Sequence, residues 1–140
     1  MPSAPDPAII TGETGAQRLI GYVIDVGHPD KRARCRLEIT PDHLNRHGVL
    51  HGGISGCLLD SAAGATASLS VDDTGRAPFL SVSLAVNYIG PAKPGMVEAV
   101  GSITGGGRNL LFVSAELCDA GGAVLATSTG VYKRVPQERL

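Results

Sequence analysis

Residues 47 to 71 contain a single formally charged side chain, Asp60. Within this stretch, Ile54 to about Ser70 has no proline and carries leucines and many alanines, which predicts one helix about five turns long. A helix with so little polar surface is more easily buried than left in water. The rest of the chain must therefore supply elements that surround this helix.

The segments on either side of the helix predict those elements as strands. Lys31 to Ile39 alternates apolar residues with charged ones, which is typical of a half-buried strand. Leu19 to Val26 precedes it, and His28-Pro29-Asp30 predicts a turn that joins the two as a hairpin. Four more strands are predicted downstream, at Phe79 to Tyr88, Met96 to Ile103, Asn109 to Cys118 and Val124 to Lys133.

This order of elements limits the fold class. Two strands, one helix and four strands lack the regular alternation of strand and helix that a doubly wound fold needs. The pattern instead predicts an α+β fold in which a curved antiparallel sheet wraps around one long central helix. Because 140 residues are about the size of one domain, we expect a single domain over 1–140, with 1–15 as a loose arm or short helix.

Composition argues against several kinds of partner and location. The chain has 12 basic and 13 acidic residues, so no overall positive field points to nucleic acid. Cys35, Cys57 and Cys118 form no CxxC or Cys/His cluster, which favours free thiols over disulfides or zinc. The N-terminus does not look like a signal peptide, and residues 47–71 are too polar to span a membrane. We therefore expect a cytoplasmic protein with no nucleic-acid or membrane partner.

Asp60 needs a physical reason to lie in an apolar helix, because burying a charge is costly unless it is paired, neutralised or used. It is either a structural carboxylate held by backbone or hydroxyl donors, or a functional group. The glycine-rich entry to the helix has the same two interpretations. Gly48, Gly52 and Gly53 could simply shape a turn and a helix start, or they could leave room for a ligand.

One combination of motifs resembles a known family. It consists of Asn45-x-x-Gly48-x-x-His51-Gly52-Gly53, then Leu59-Asp60, Ser81-Val82 and Asn87-Tyr88 before Pro91-Ala92-Lys93-Pro94-Gly95. This combination resembles the hotdog-fold acyl-CoA thioesterases of the phenylacetate-degradation (PaaI-like) type, over about Leu19 to Lys133. The resemblance implies a hotdog fold, hydrolysis of acyl-CoA to free acid and coenzyme A, no metal or redox cofactor, and sites at a dimer interface.

Thioester hydrolysis needs a donor that stabilises the oxyanion and a base or nucleophile that delivers the attack. Gly52 is predicted at the helix start, where its backbone N–H is an unpaired donor at the positive end of the helix dipole. By resemblance, Gly52 is the oxyanion donor. Asp60 is then either the general base that activates water or the nucleophile that forms an acyl anhydride, and the residues leave both open.

The spacing of these two residues predicts an oligomer. Eight helical residues separate Gly52 from Asp60, about 12 Å at the usual rise. One chain cannot easily bring both to the same carbon atom, so a second copy must supply one of them. The prediction is a symmetric homodimer with two shared sites. Further association into a dimer of dimers, a homotetramer, is the expected assembly, but the residues leave dimer and tetramer open.

Three further residues are candidates for the catalytic site. Asn45 either braces its loop or uses its amide to position water or the thioester. His51 is interpreted as an orienting or packing residue rather than the base, because a catalytic histidine would need a visible partner. By resemblance Ser81 helps to hold the attacking water, but alternation also places it with Ser83 and Asn87 on one face that could be merely polar or an oligomer contact.

Substrate contacts outside the reacting atoms are predicted at Gly53, beside the helix start, and at Arg108, which follows three glycines and could meet coenzyme A phosphates. The row Arg32, Arg34 and Arg36 offers another positive surface. The alternative for all four arginines is that they are solvated surface charges.

Two other functions and the acyl group stay open at this point. A hotdog hydratase or dehydratase would need an aspartate and a histidine placed together, and no such pair is evident. A non-catalytic acyl-CoA sensor usually carries a DNA-binding segment, which the short N-terminal arm cannot supply. Gly56 and Ala63 beside Asp60 suggest room for a bulky acyl or aryl group.

Overall fold

The computed structural model describes residues 4–136 and 138. It confirms an α+β fold in which an antiparallel seven-stranded sheet surrounds one long helix. The elements in chain order are β1 (Ile9–Ile10), α1 (Gly15–Ile20), β2 (Val23–Asp25), β3 (Arg34–Glu38), a 3-10 turn (Pro41–His43), α2 (Gly52–Leu69), β4 (Phe79–Tyr88), β5 (Met96–Gly106), β6 (Leu110–Asp119) and β7 (Val124–Arg134).

The sheet order is β1-β2-β3-β5-β6-β7-β4, and every neighbouring pair is antiparallel. The predicted β2–β3 hairpin is confirmed, with Ile24 opposite Cys35. The first strand after the long helix, β4, does not pair with β5, which follows it in the chain. It lies at the edge of the sheet beside β7, and this position matters for the site described below.

The long helix α2 lies in the core, as its composition predicts. Leu58, Leu59 and Ala62 have no exposed surface, and they pack among the apolar residues of β3, β5, β6 and β7. The sheet approaches the helix closely at Gly101 of β5, where a Cβ atom would lie 2.7 Å from the carbonyl oxygen of Ala62. Small residues on both elements therefore allow this helix to be enclosed.

The N-terminal part differs from the sequence prediction. Leu19 and Ile20, predicted as strand, belong to α1, which ends where Gly21 adopts a left-handed conformation with φ 94°. Ile9–Ile10, expected in a loose arm or short helix, form β1 and pair with Ile24 and Asp25 of β2. Residues 1–3 of the predicted arm lie outside the described residues.

A β-bulge at Val82 changes which residues of β4 face the helix. The register against β7 shifts between Ser81 and Ser83, and an extra residue in one strand reverses the alternation beyond it. Directly opposed residues share a face, so Ser81 lies on the helix side with Tyr132, whereas Ser83 and Asn87 lie on the opposite face. The prediction that these three polar residues share one face is therefore wrong.

Two other expectations concern the thiols and the membrane. All three cysteines are free thiols, as predicted, and burial raises the pKa of Cys35. In the part of the chain that the structure describes, the helices lack the combination of length and apolar character that crossing a bilayer requires.

Candidate active site

The start of α2 exposes one unused backbone donor. Four N–H groups in the first turn of a helix lack intrahelical partners. Here the Gly53 N–H donates to His51 Nδ1 at 2.9 Å, and the Ile54 and Ser55 N–H groups donate to the His51 carbonyl oxygen at 2.9 and 3.1 Å. The Gly52 N–H has no acceptor among residues 4–136 and 138. This N–H is therefore a free donor at the positive end of the helix dipole.

His51 is the N-cap residue of α2. Because its Nδ1 accepts the Gly53 N–H, the neutral ring carries its proton on Nε2. The side chain therefore shapes the helix start. The same bond occupies the N–H of Gly53, the residue predicted to contact substrate, so only its Cα face is left for a ligand.

A cavity of about 370 Å³ opens beside this helix start. Asn45 lines it, and its Oδ1 accepts the N–H groups of His47 and Val49 at 2.9 and 3.3 Å. This Asn45 oxygen therefore braces the loop, while the side chain as a whole borders the cavity. The other lining residues include Gly52, Ser55, Tyr88, Ile89 and Leu125.

Tyr88, at the end of β4, fixes the helix start from the other side. Its hydroxyl donates to the Gly52 carbonyl oxygen at 2.6 Å. A Cβ atom on Gly52 would lie 3.3 Å from the Tyr88 ring, so the glycine allows this close contact. The sequence presented Tyr88 only as part of a motif, and its proximity to the proline-rich turn was the one signal that could have marked it.

Asp60 lies in the third turn of α2, partly buried, and is held by two hydroxyl groups. Its Oδ1 accepts from Ser81 Oγ at 2.6 Å and from the Tyr132 hydroxyl at 2.9 Å. Its Oδ2 receives no hydrogen bond from the described residues. Burial and the neighbouring Asp60 charge raise the pKa of Tyr132, which keeps that phenol protonated as a donor. Tyr132 is not among the site residues predicted from the sequence.

These groups form two separate half-sites within one chain. The helix-start site consists of Asn45, His51, Gly52 and Tyr88. The carboxylate site consists of Asp60, Ser81 and Tyr132. Their key residues, Gly52 and Asp60, are about 12 Å apart along α2, so the fold brings the predicted residues into two clusters rather than one.

Arg108 lies in neither cluster. It is exposed in the turn between β5 and β6. Because Leu110 and Leu80 both oppose Lys133 across the sheet, this turn lies at the end of the sheet where Ser81 also lies. Arg108 is therefore at the same end as the carboxylate site.

The other predicted positive surface is already engaged. Arg34 pairs with Asp30 at 2.7 Å, and Arg36 pairs with Asp25 and Glu98 at 3.0 and 2.6 Å. Arg32 donates to the Gly101 carbonyl oxygen at 2.9 Å. These contacts favour the alternative of surface charges over a phosphate-binding row.

The space expected beside Asp60 is smaller than predicted. Ala63 has no exposed surface and belongs to the core, because its side of the helix faces the sheet. Gly56 does lie near the helix-start site, since a Cβ atom there would be 3.9 Å from the Tyr88 hydroxyl. Of the two small residues, only Gly56 remains a candidate for acyl-group space.

A long helix inside an antiparallel sheet, with a free N–H at its start and a hydroxyl-bound carboxylate further along it, defines a hotdog-fold protein with a candidate thioester-hydrolysing site. The family model of the thioesterase superfamily matches residues 47–126. The chain belongs to the thioesterase superfamily.

Individual relatives agree with this assignment. Acyl-coenzyme A thioesterase 13 of Mus musculus is 32% identical over 104 residues, covering 74% of this chain and 72% of the relative. A Bacillus halodurans protein crystallised with CoA is 26% identical, with a TM-score of 0.79 over 89% of this chain and 80% of the other. PaaI, from the phenylacetic acid degradation operon of E. coli, shares the fold at 17% identity, with a TM-score of 0.73 over 89% and 86% of the two chains.

Proposed function

We propose that this protein hydrolyses acyl-CoA to free acid and coenzyme A at two equivalent sites of a homodimer. Each site combines the helix-start site of one chain with the carboxylate site of the other. The names of the relatives support the substrate class, since one is an acyl-CoA thioesterase and another was crystallised with CoA. The observation that carries the proposal is the position of β4.

Strand β4 is a long, apolar edge strand. It has 10 residues and lies at the end of the sheet order, with Val82 59% exposed and Leu84 36% exposed. Proteins usually shorten, charge or cover such edges, because unpaired backbone groups invite another strand. A second copy of β4, paired antiparallel about a two-fold axis, covers both the backbone edge and the apolar side chains.

This pairing assembles the two half-sites. In an antiparallel pair of identical strands, the first residues of one strand lie beside the last residues of the other. Ser81 near the start of β4 holds Asp60, whereas Tyr88 at its end holds Gly52. The two-fold axis therefore brings Asp60 of one chain toward Gly52 of the other, which the 12 Å spacing within one chain does not allow.

In the proposed reaction, the thioester carbonyl oxygen accepts the Gly52 N–H, and Asp60 accepts a proton from water. The water oxygen bonds to the carbonyl carbon, and the carbon–sulfur bond then breaks as the sulfur leaves with its electron pair and takes up a proton. In the alternative, Asp60 attacks directly and water hydrolyses the resulting anhydride. Incorporation of ¹⁸O from labelled water into Asp60 during a single turnover would demonstrate the anhydride route, because the general-base route forms no covalent bond to Asp60.

The remaining predicted residues support this chemistry. His51 and Gly53 hold the helix start in place, and Asn45 orients the thioester at the mouth of the cavity beside Gly52. Arg108 attracts the coenzyme A phosphates at the carboxylate end of the sheet. The proposed reaction uses neither a metal nor a redox cofactor. A hydratase is less well supported, because Asp60 contacts hydroxyl groups and no histidine within the described residues.

The first test replaces Asp60 with asparagine. Asp60→Asn should lower kcat by about 10²–10⁴-fold, because the amide can neither take the proton nor attack the thioester. Thiol release would be measured over short-chain, long-chain and aromatic acyl-CoAs, which also defines the preferred acyl group. The matched control is Asp73→Asn, an exposed carboxylate that pairs with Lys31. Equal rates for Asp60→Asn and wild type would remove Asp60 from the mechanism, and tight binding without turnover in both would favour a sensor.

A second test asks whether the site is shared between chains. Asp60→Asn is unfolded and refolded together with Gly52→Pro, which lacks the Gly52 N–H. Random mixing should restore about one quarter of wild-type activity, because half of the dimers are mixed and each of those holds one intact site. Each variant alone, treated in the same way, sets the background. No recovery in mixed dimers of verified composition would contradict the shared site.

A further inference from the structure

The carboxylate of Asp60 is held asymmetrically. Both hydroxyl donors, Ser81 Oγ and the Tyr132 phenol, bind the same oxygen, Oδ1, at 2.6 and 2.9 Å. Within the described residues Oδ2 has no hydrogen-bond donor. A carboxylate fixed through one oxygen in this way leaves the other oxygen free for chemistry.

Tyr132 belongs to the hydrophobic core. It is only 1% exposed and lies on β7, directly opposite Ser81 on β4. Gly130 makes room for its ring, because a Cβ atom there would lie 2.8 Å from Cε2. The ring also lies beside Gly64 of α2, where a Cβ atom would make an ordinary contact with Cε1 at 3.9 Å. The fold therefore sets the direction of the Tyr132 hydroxyl toward α2.

We propose that Tyr132 is a positioning residue that, together with Ser81, anchors Asp60 through Oδ1 so that Oδ2 is the oxygen that takes the proton from water. This inference rests on the proposed role of Asp60 as general base. Ser81 comes from the exposed edge strand, whereas Tyr132 comes from an interior strand. The phenol therefore supplies a rigid donor behind the carboxylate.

The O–H bond of water breaks and its proton moves to Oδ2, while the water oxygen forms a bond to the thioester carbon. Oδ1 keeps both hydroxyl protons as hydrogen bonds throughout and forms no new covalent bond. When the carbon–sulfur bond breaks, the proton on Oδ2 passes to the departing sulfur, which regenerates the carboxylate.

The main test is Tyr132→Phe, which keeps the ring and removes only the hydroxyl. We expect kcat to fall about tenfold with KM nearly unchanged, because a hydrogen bond to a charged group that orients the base is lost. The acidic limb of the kcat/KM profile should move to higher pH, because one donor to the carboxylate anion is gone. Within the described residues, the Cys57 thiol on the same helix also lies close enough to feel the Asp60 charge, and its pKa is raised mainly by burial.

The matched control is Tyr22→Phe, another buried tyrosine packed against α2 in the same core. This control should keep wild-type kcat and pH profile. A purely structural role for the Tyr132 hydroxyl would lower the melting temperature without moving the pH profile, and that result would overturn the proposal. Wild-type kcat in Tyr132→Phe would overturn it as well.

A spectroscopic measurement on folded protein tests the contact without the Tyr132→Phe variant. The chain has three tyrosines, so ¹³Cζ labelling gives three signals. Asp60→Asn should shift the Tyr132 signal and leave Tyr22 unchanged, whereas no shift at Tyr132 would refute the contact. Full activity of Asp60→Asn would contradict the proposed function itself, while an inactive Asp60→Asn beside a fully active Tyr132→Phe would contradict only the role of Tyr132.

Discussion

The helix-start site and the carboxylate site use different kinds of group, a backbone N–H in one and a side-chain carboxylate in the other. At the helix start the donor is a backbone N–H of Gly52, aimed by the geometry of α2 and by the cap at His51. At the carboxylate site the reacting group is a side chain, held by Ser81 and Tyr132 from two neighbouring strands. The donor of the first site follows from local sequence, whereas the second site exists only where α2, β4 and β7 meet.

After the loss of the Asp60 carboxylate, the largest effect should come from removing the backbone donor. Gly52→Pro should lower kcat by about 10²–10³-fold, the usual cost of losing one oxyanion donor. Proline is well tolerated at the first helical position, and His51, at φ −59° and ψ 133°, already has the conformation that a residue before proline prefers. Steady-state hydrolysis of the best acyl-CoA substrate would measure this loss, and circular dichroism would check the fold.

Gly52→Ala distinguishes the effect of losing the N–H donor on kcat from the effect of adding a Cβ atom. Both variants place a Cβ atom 3.3 Å from the Tyr88 ring, but alanine keeps the N–H. We expect Gly52→Ala to retain at least about ten times the kcat of Gly52→Pro. Equal losses would mean that steric access at this position, rather than the N–H, decides the rate.

The next effect concerns the assembly that joins the two half-sites. Leu84 lies near the middle of β4, close to the proposed two-fold axis, so Leu84→Asp would bring two carboxylates together in an apolar interface. We expect a monomer by light scattering and a loss of activity of about tenfold or more at dilute concentration, because like charges there cost several kcal/mol.

The control for this variant is Val124→Asp on β7, since Val124 and Leu84 are both 36% exposed. It should keep the mass and activity of the wild type. A monomeric Leu84→Asp that remains fully active would show that a single chain contains a complete site.

The smallest effect should come from Tyr88→Phe at the helix-start site. The Tyr88 hydroxyl supports the Gly52 carbonyl oxygen, but the helix and its His51 cap already orient the donor. Loss of one neutral hydrogen bond should therefore reduce kcat only about threefold, less than the loss expected for Tyr132→Phe. The two variants would be compared in the same thiol-release assay, and a larger loss for Tyr88→Phe would reverse the proposed difference between the sites.

Local patterns predicted most of the secondary structure. The helix expected over Ile54 to about Ser70 is observed as Gly52–Leu69, and the strand expected over Phe79 to Tyr88 has those bounds. The errors lie where short elements depend on distant partners. The two-residue strand Ile9–Ile10 forms only because β2 is available for pairing, and the bulge at Val82 depends on the register with β7.

The site residues were predictable only where local sequence marks them. Asp60 and Gly52 stand out in the sequence because an isolated charge in an apolar helix and a glycine-framed helix start are visible without a fold. Tyr132 is not visible in this way, because a tyrosine in an alternating strand has an ordinary packing role until its partner is known. Seventy-two positions separate it from Asp60 in the chain.

The sequence by itself determined the long helix, most of the strands, the free donor at Gly52 and the distance that separates this donor from Asp60, because each follows from periodicity and helical geometry. Only the tertiary structure decided which hydroxyl groups hold Asp60, which oxygen of its carboxylate is left free, and that β4 lies at the edge of the sheet. These features depend on strand order and register, which arise from contacts between residues far apart in the chain.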